Sequence, residues 1–414
     1  MTLQYPKALP IAMTVACLNI NAVNAGSSSV DFSISTQQEA LGITEVPLQL
    51  KKQFSSELRF NRYTSVVAPN GKSIHIVAQD QLSDGQIIRA KSVLVHYLSD
   101  FSGSKYGSNK SSVANRMAEN GATLLLLNGR DDGTNNAAEL EGQPLYEEEI
   151  QVEGGPWYMA QNYQHRDATF EEILHLVHDY GIGVDGYDKF IGVLPEYQTE
   201  IRNAQINAYA KQIWAMTPEV QDWIDELTAE NSLTQEYLAS VLDSYYGLWG
   251  AYPKQSFRMM DKFTGGWGMW GFYIAGTRHE VQLRDPKGYQ LMTEFFHPYL
   301  TYNAHLDPNF KGTFSLQYRE DLLYTNHSRY LKDITLTGSH PVEVIVNKLD
   351  NNITGNNSNT IVTFSGEKND YNINYQDDVV IVRDSLLGRD GNNTLRSVST
   401  IRFADQSVDT RRIY

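Results

Sequence analysis

The sequence predicts an α+β protein in which an α/β layer and a helical region precede a small all-β module of the roll or β-helix kind. Three observations lead there. Residues 73–78 read as a strand, residues 123–127 as a short, continuously apolar second strand, and amphipathic helices lie between them, as in a right-handed α/β crossover. Residues 156–300 carry mainly helical spacing. Near Lys332 the composition shifts, and from Ile334 onward short β-type runs alternate with Asn- and Gly-rich turns.

The elements follow in order. Lys7 precedes an apolar run ending at Cys17, and Ala22-Val23-Asn24-Ala25 offers small residues at a cleavage position, so residues 1–25 read as an export signal. The competing reading is an ordinary buried N-terminal helix. Thr14-Val15-Ala16-Cys17 resembles a bacterial lipoprotein box without its usual leucine, which keeps surface anchoring as an alternative to free secretion or a periplasmic location. Cys17 is the only cysteine, so a processed chain has no disulfide and must be stabilised by core burial or bound ions. No other stretch is long enough to cross a bilayer. Residues 26–58 are rich in Ser, Gln and Thr with weak periodicity, which predicts a loosely ordered leader or linker.

Ser83 and Gln86 form a capping-box pair that opens a helix through Ile87, Ala90, Leu94 and Leu98. A second helix runs from about Val113 to Asn120 and is closed by Gly121. Pro218 after Thr217 starts a further helix. The run from Gly265 to Gly271 breaks any helix and reads as buried turn packing, with a flexible aromatic cleft wall as the alternative.

Composition bounds function. The chain has 414 residues, 41% of them hydrophobic, which is ample for a large core. A net charge of −15 disfavours nucleic acid as a partner. A G-x-S-x-G elbow, a P-loop and a Rossmann glycine pattern are all lacking. A glycosidase carboxylate pair stays open, because its spacing lies in space and not in sequence. The 25 Tyr and 6 Trp residues would suit carbohydrate contact by the β module, and are equally ordinary for a core without cysteine.

The segment 169–181 carries the chemistry. On a helix, Glu171, His175 and His178 fall at i, i+4 and i+7 on one stripe, flanked by Glu172 and Asp179, while Phe170, Ile173, Leu174 and Val177 face a core. Carboxylates and imidazoles at one-turn spacing are what a divalent metal on a helix requires. The plain alternative is a solvated polar face with incidental histidines. A third ligand must come from elsewhere. Glu236 is a candidate, on a helix over residues 235–248 with Tyr237, Leu238, Val241 and Tyr245 apolar and Ser240 and Asp243 on its polar side.

Here a resemblance enters. Glu171-Glu172-Ile173-Leu174-His175 resembles the zinc-peptidase signature H-E-x-x-H with its first histidine replaced by glutamate. Glu236-Tyr237-Leu238-Ala239-Ser240-Val241-Leu242 resembles the helix bearing the third zinc ligand in lethal-factor-like zincins and their secreted bacterial and fungal relatives, with Ser240 where they have a second glutamate. The resemblance covers roughly residues 60–300. It implies a secreted zinc peptidase with a peptide or protein substrate, Glu172 as general base, and zinc held by His175, Glu236 and either Glu171 or His178. A fold that kept this shape and lost catalysis is the alternative.

The C-terminal module is similar to the closing portion of haemolysin-type β-roll proteins, most specifically at Arg402-Phe403-Ala404-Asp405-Gln406-Ser407-Val408-Asp409. That similarity implies calcium in its turns. Yet the G-G-x-G-x-D nonapeptide is missing and asparagines fill many turns, so few ions are expected. The expected division is a signal over 1–25, a leader over 26–58, a zincin-like domain over 59–332 and the roll-like module over 333–414.

Overall fold

The computed structural model describes residues 34–410, apart from residues 162, 164–166, 187–188, 216–219, 253–266 and 357. The expected export signal with Cys17, and Thr217, Pro218, Gly265 and Gly266, lie outside the described residues. The chain is α+β, as its sequence predicts.

The first layer is a four-stranded sheet in the order β1 (Phe60–Val67), β2 (Ser73–Gln79), β3 (Thr123–Leu127), β4 (Gln143–Tyr146). β1 runs antiparallel to β2, and the other pairs are parallel. Helix α1 (Thr36–Ala40) precedes the sheet. Between β2 and β3 come α2 (Asp84–Leu98) and α3 (Ser111–Glu119). The Ser83–Gln86 capping box is present at the start of α2, and Gly121 closes α3 at a left-handed φ of 72°.

The five residues of β3 are all buried because the sheet is covered on both faces. Alternate side chains divide: Leu124 and Leu126 join the main core under the helices, whereas Leu125 and Leu127 pack with Val46, Phe54 and Phe60. The second cover comes from the segment expected to be a loose leader. Of that segment, the described residues are anchored by Ile43, Val46 and Phe54, all buried, and by paired backbone bonds between Thr44 and Tyr63. A buried strand's outer face has to be covered by something, and here it is the chain that precedes the sheet.

The helical region contains α4 (Pro156–Ala160), α5 (Thr169–Val177), α6 (Pro195–Ala210), α7 (Gln221–Glu230), α8 (Leu233–Tyr245), α9 (Arg278–Arg284) and α10 (Pro286–Phe295). Trp267 and Met269 are buried on either side of Gly268, in keeping with turn packing.

The roll follows. Strands β5 (Leu300–Leu306), β7 (Leu331–Leu336), β9 (Asn352–Thr354) and β13 (Asn392–Arg396) lie in one sheet with the antiparallel hairpin β11 (Tyr371–Gln376) and β12 (Val379–Asp384). Strands β6 (Gly312–Ser315), β8 (Val342–Ile345), β10 (Thr360–Thr363), β14 (Thr400–Arg402) and β15 (Ser407–Asp409) form the other. Successive parallel strands thus alternate between two sheets, with one short helix, α11 (Thr325–Ser328), inserted before β7.

The roll begins earlier than residue 333, because β5 pairs in parallel with β7 from Leu300↔Leu331 to Leu306↔Leu336. The polar stretch containing α11 interrupts the β-type pattern and delays its signal. Nor is the roll a separate body: one buried apolar cluster runs from Ile74 through Leu238 to Ile401.

Candidate metal centre

Helix α5 is buried along almost its whole circumference. Phe170, Ile173, Leu174 and Val177 enter the core as their spacing predicts, but Glu171 and His175 are buried too, because α8 packs over the polar stripe. Glu171 and His175 lie one turn apart on the same face. Glu236, in the first turn of α8, completes the group: one donor atom from each of Glu171, His175 and Glu236 lies within 4.8 Å of the others. It is the one such group of three or more metal-binding side chains among the described residues.

Helix polarity helps to assemble like charges. Glu171 and Glu172 stand in the first turn of α5 and Glu236 in that of α8, where unpaired backbone N–H groups favour anions. His175 stands in the last turn of α5, where a positive charge is favoured. Burial alone would push its pKa down. The hydrogen bond to Glu172 and the charges of Glu236, Glu172 and Glu171 together overcome that and raise it to about 10. Without a cation, His175 therefore holds a proton among three carboxylates.

The ring faces are distinct. His175 Nδ1 is 3.4 Å from Glu172 Oε2, and Nε2 is 3.6 Å from Glu236 Oε1. Nε2 is buried with no hydrogen-bond partner. This arrangement fits a metal: ligating imidazoles commonly give their other ring N–H to a carboxylate, which fixes the ring and its tautomer. Ligand atoms about 2.0–2.2 Å from one ion stand roughly 3.5 Å apart, so the 3.6 Å gap already matches.

The structure differs from the sequence reading at one candidate ligand. His178 does not join the group. The helix widens into a π-turn over His178–Ile182, and His178 Nε2 is 2.6 Å from Gln198 Oε1 on α6. Burial depresses its pKa to about 4, so it is neutral near pH 7. Of the alternatives for the third ligand, Glu171 is the one brought to the site. Glu172 does lie at the site, but its oxygen faces His175 Nδ1 and accepts a 2.8 Å bond from Gln143 Nε2 at the start of edge strand β4.

Two partners had no sequence signal. Gln143 is placed by the order of strands. Gln235 donates to Asp179 Oδ1 at 3.0 Å, tying α8 to the turn after α5; burial raises the Asp179 pKa to about 6. Ser240, fully buried, accepts from Trp214 Nε1 at 3.1 Å and donates to the Glu236 carbonyl at 2.9 Å. The polar side of α8 expected from the sequence is thus an interior face.

The calcium expectation finds no matching carboxylate group in the roll among the described residues. Asp390 is fully buried and accepts from the Ser365 backbone and hydroxyl and from Tyr371, and Arg389 pairs with Asp370 and Asp384. In the turns, side-chain amides cap carbonyls: Asn351 donates to Lys332 and Asn347, Asn347 to Leu331, and Asn356 to His340. These asparagines are bonded inward, as structural caps.

Comparison of the chain with protein-family models, with curated proteins and with solved structures finds no match. No helix among the described residues is long and apolar enough to cross a membrane.

Proposed function

We propose that the protein is a secreted, zinc-dependent peptidase-like hydrolase of the lethal-factor-like zincin kind, acting on peptide or protein substrates. The observation that carries this reading is the convergence of Glu171, His175 and Glu236 from two helices distant in sequence. His175 Nε2 and the two carboxylates would hold the ion. A divalent cation held there would supply an acidified water and polarise a peptide carbonyl. Glu172 is the group to take up the proton and return it to the leaving amine. Gln143 positions Glu172 through its amide. Two carboxylates and one imidazole neutralise a dication, so Lewis acidity should be weaker than with two histidines.

A second reading has its own support. Glu172 faces the nitrogen of His175 opposite Glu236, the position of a carboxylate that orients a ligand. Under this reading the protein is a non-catalytic binding protein with a metal-stabilised fold. Digestion of a peptide library by the zinc-loaded chain, read by mass spectrometry, separates the two. Peptidase activity that is lost in Glu172→Gln with zinc retained supports the hydrolase. No cleavage by the loaded wild-type chain rejects it, and a fall in zinc affinity in Glu172→Gln would assign Glu172 to orienting His175.

A further inference from the structure

Helix α2 lies between α5 and β5 and carries two buried polar side chains, Arg89 and His96, that neither the metal ligands nor the proposed chemistry uses. Each spans from the roll to one of the two metal-bearing helices. The Arg89 guanidinium is bonded to Tyr302 of β5 and to Glu153 through Nη1, and through Nη2 to Tyr158 at 2.8 Å and Asp167 at 3.3 Å. The other oxygen of Asp167 accepts from the backbone of Thr169, the first residue of α5, at 3.1 Å. Arg89 also lies over the ring of Phe170, 4.9 Å from its centroid, next to the ligand Glu171.

His96 makes the corresponding bridge at the far end of α8. The Thr301 hydroxyl at 2.9 Å and backbone N–H at 3.2 Å both donate to His96 Nδ1, so the ring proton sits on Nε2, which is 2.9 Å from the hydroxyl of Tyr246. Tyr246 is the residue that caps α8. The two roll residues involved, Thr301 and Tyr302, are consecutive. His327 of α11 joins both ends: Nδ1 donates to the Tyr246 carbonyl at 2.8 Å, and its ring meets Phe170 edge-on at 5.8 Å. Arg89, Glu153, Asp167, His96 and His327 are all buried, so losing a partner leaves a desolvated polar group and the contact is strongly enforced.

We propose that the β-roll is the brace of the metal centre. Arg89 and His96 are positioning residues that, with Tyr302, Thr301 and His327, hold α5 and α8 at the separation on which convergence of Glu171, His175 and Glu236 depends. The inference rests on the metal reading above. Packing tolerates shifts that a coordination sphere does not, because ligand geometry has to be held to within about 0.5 Å. The brace assigns the roll a task in the centre itself.

The test uses the full chain, with cobalt(II) absorption and zinc affinity by chelator competition as readouts. Tyr302→Phe and Thr301→Val are compared with Asn351→Ala, a roll variant whose side-chain bonds go to Lys332 and Asn347. The brace predicts that Tyr302→Phe weakens zinc binding ten-fold or more and shifts the cobalt band, while Asn351→Ala changes neither. Wild-type behaviour of Tyr302→Phe and Thr301→Val, or equal loss in Asn351→Ala, overturns it. If the wild-type chain binds no metal, the metal reading has failed, and hydrogen exchange then judges the brace alone. Faster exchange of the amides of residues 169–177 and 233–245 in Tyr302→Phe supports it, and unchanged exchange overturns it.

Discussion

The Nε2 atom of His175 lies 3.6 Å from the carboxylate of Glu236, although the two side chains come from helices separated by α6 and α7. Around that contact stand Glu171 and Glu172, so one imidazole is shared among three largely buried carboxylates. An uncompensated cluster of that charge is costly. A proton on His175 offsets it in part, and a dication offsets it further.

Proton and metal should therefore compete. With the His175 pKa raised to about 10, binding an ion requires release of that proton throughout the neutral range. Zinc affinity measured by chelator competition should rise by about ten-fold for each pH unit between 6 and 8, after correction for the chelator. His175→Gln should abolish both the binding and its pH dependence.

The metal-free chain should show two opposite pH slopes from neighbouring histidines. His175 has a folded pKa above the ordinary 6.5, so its contribution is complete below pH 6.5 and is lost as pH rises toward 10. His178 has a folded pKa near 4, so its contribution is present above pH 6.5 and is lost as pH falls toward 4. Denaturant unfolding with a chelator present checks this. His175→Gln should flatten the alkaline slope only, and His178→Gln the acid slope only.

His178 also separates structure from ligation. Its replacement by alanine leaves Gln198 Oε1 without its buried partner. Stability should fall by about 1–3 kcal/mol, while zinc stoichiometry stays at the wild-type value. Loss of zinc in His178→Ala with the fold intact would return that residue to the ligand set.

In the roll, capping amides hold the turns. Asn351→Ala removes bonds to the Lys332 carbonyl and Asn347 Oδ1 and should cost about 1–3 kcal/mol. Addition of EGTA, which strips calcium, should leave the melting temperature of the wild-type chain unchanged.

Local rules carried much of the fold. The Ser83–Gln86 capping box and the apolar run of β3 are signals that tertiary context did not override. Glu171 and His175 were legible because one-turn spacing on a helix brings side chains together whatever the surroundings. Glu236 became legible through a motif resemblance, since nothing in spacing links two distant helices. His178 was misplaced because the i+7 argument assumes a regular helix and the chain widens into a π-turn there. The cover supplied by Val46 and Phe54 was hidden because residues that close over a sheet need no periodicity. Arg89 gave no signal at all: a buried charge becomes intelligible only when Glu153, Asp167 and Tyr302 are seen around it.

The most direct test of the central claim is the metal content of the purified chain after zinc loading and dialysis, measured by plasma mass spectrometry beside a Glu236→Ala variant of verified fold. The account predicts one zinc per wild-type chain and a large loss in the variant. Wild-type protein that retains no zinc, or a variant that retains it equally, would contradict the account.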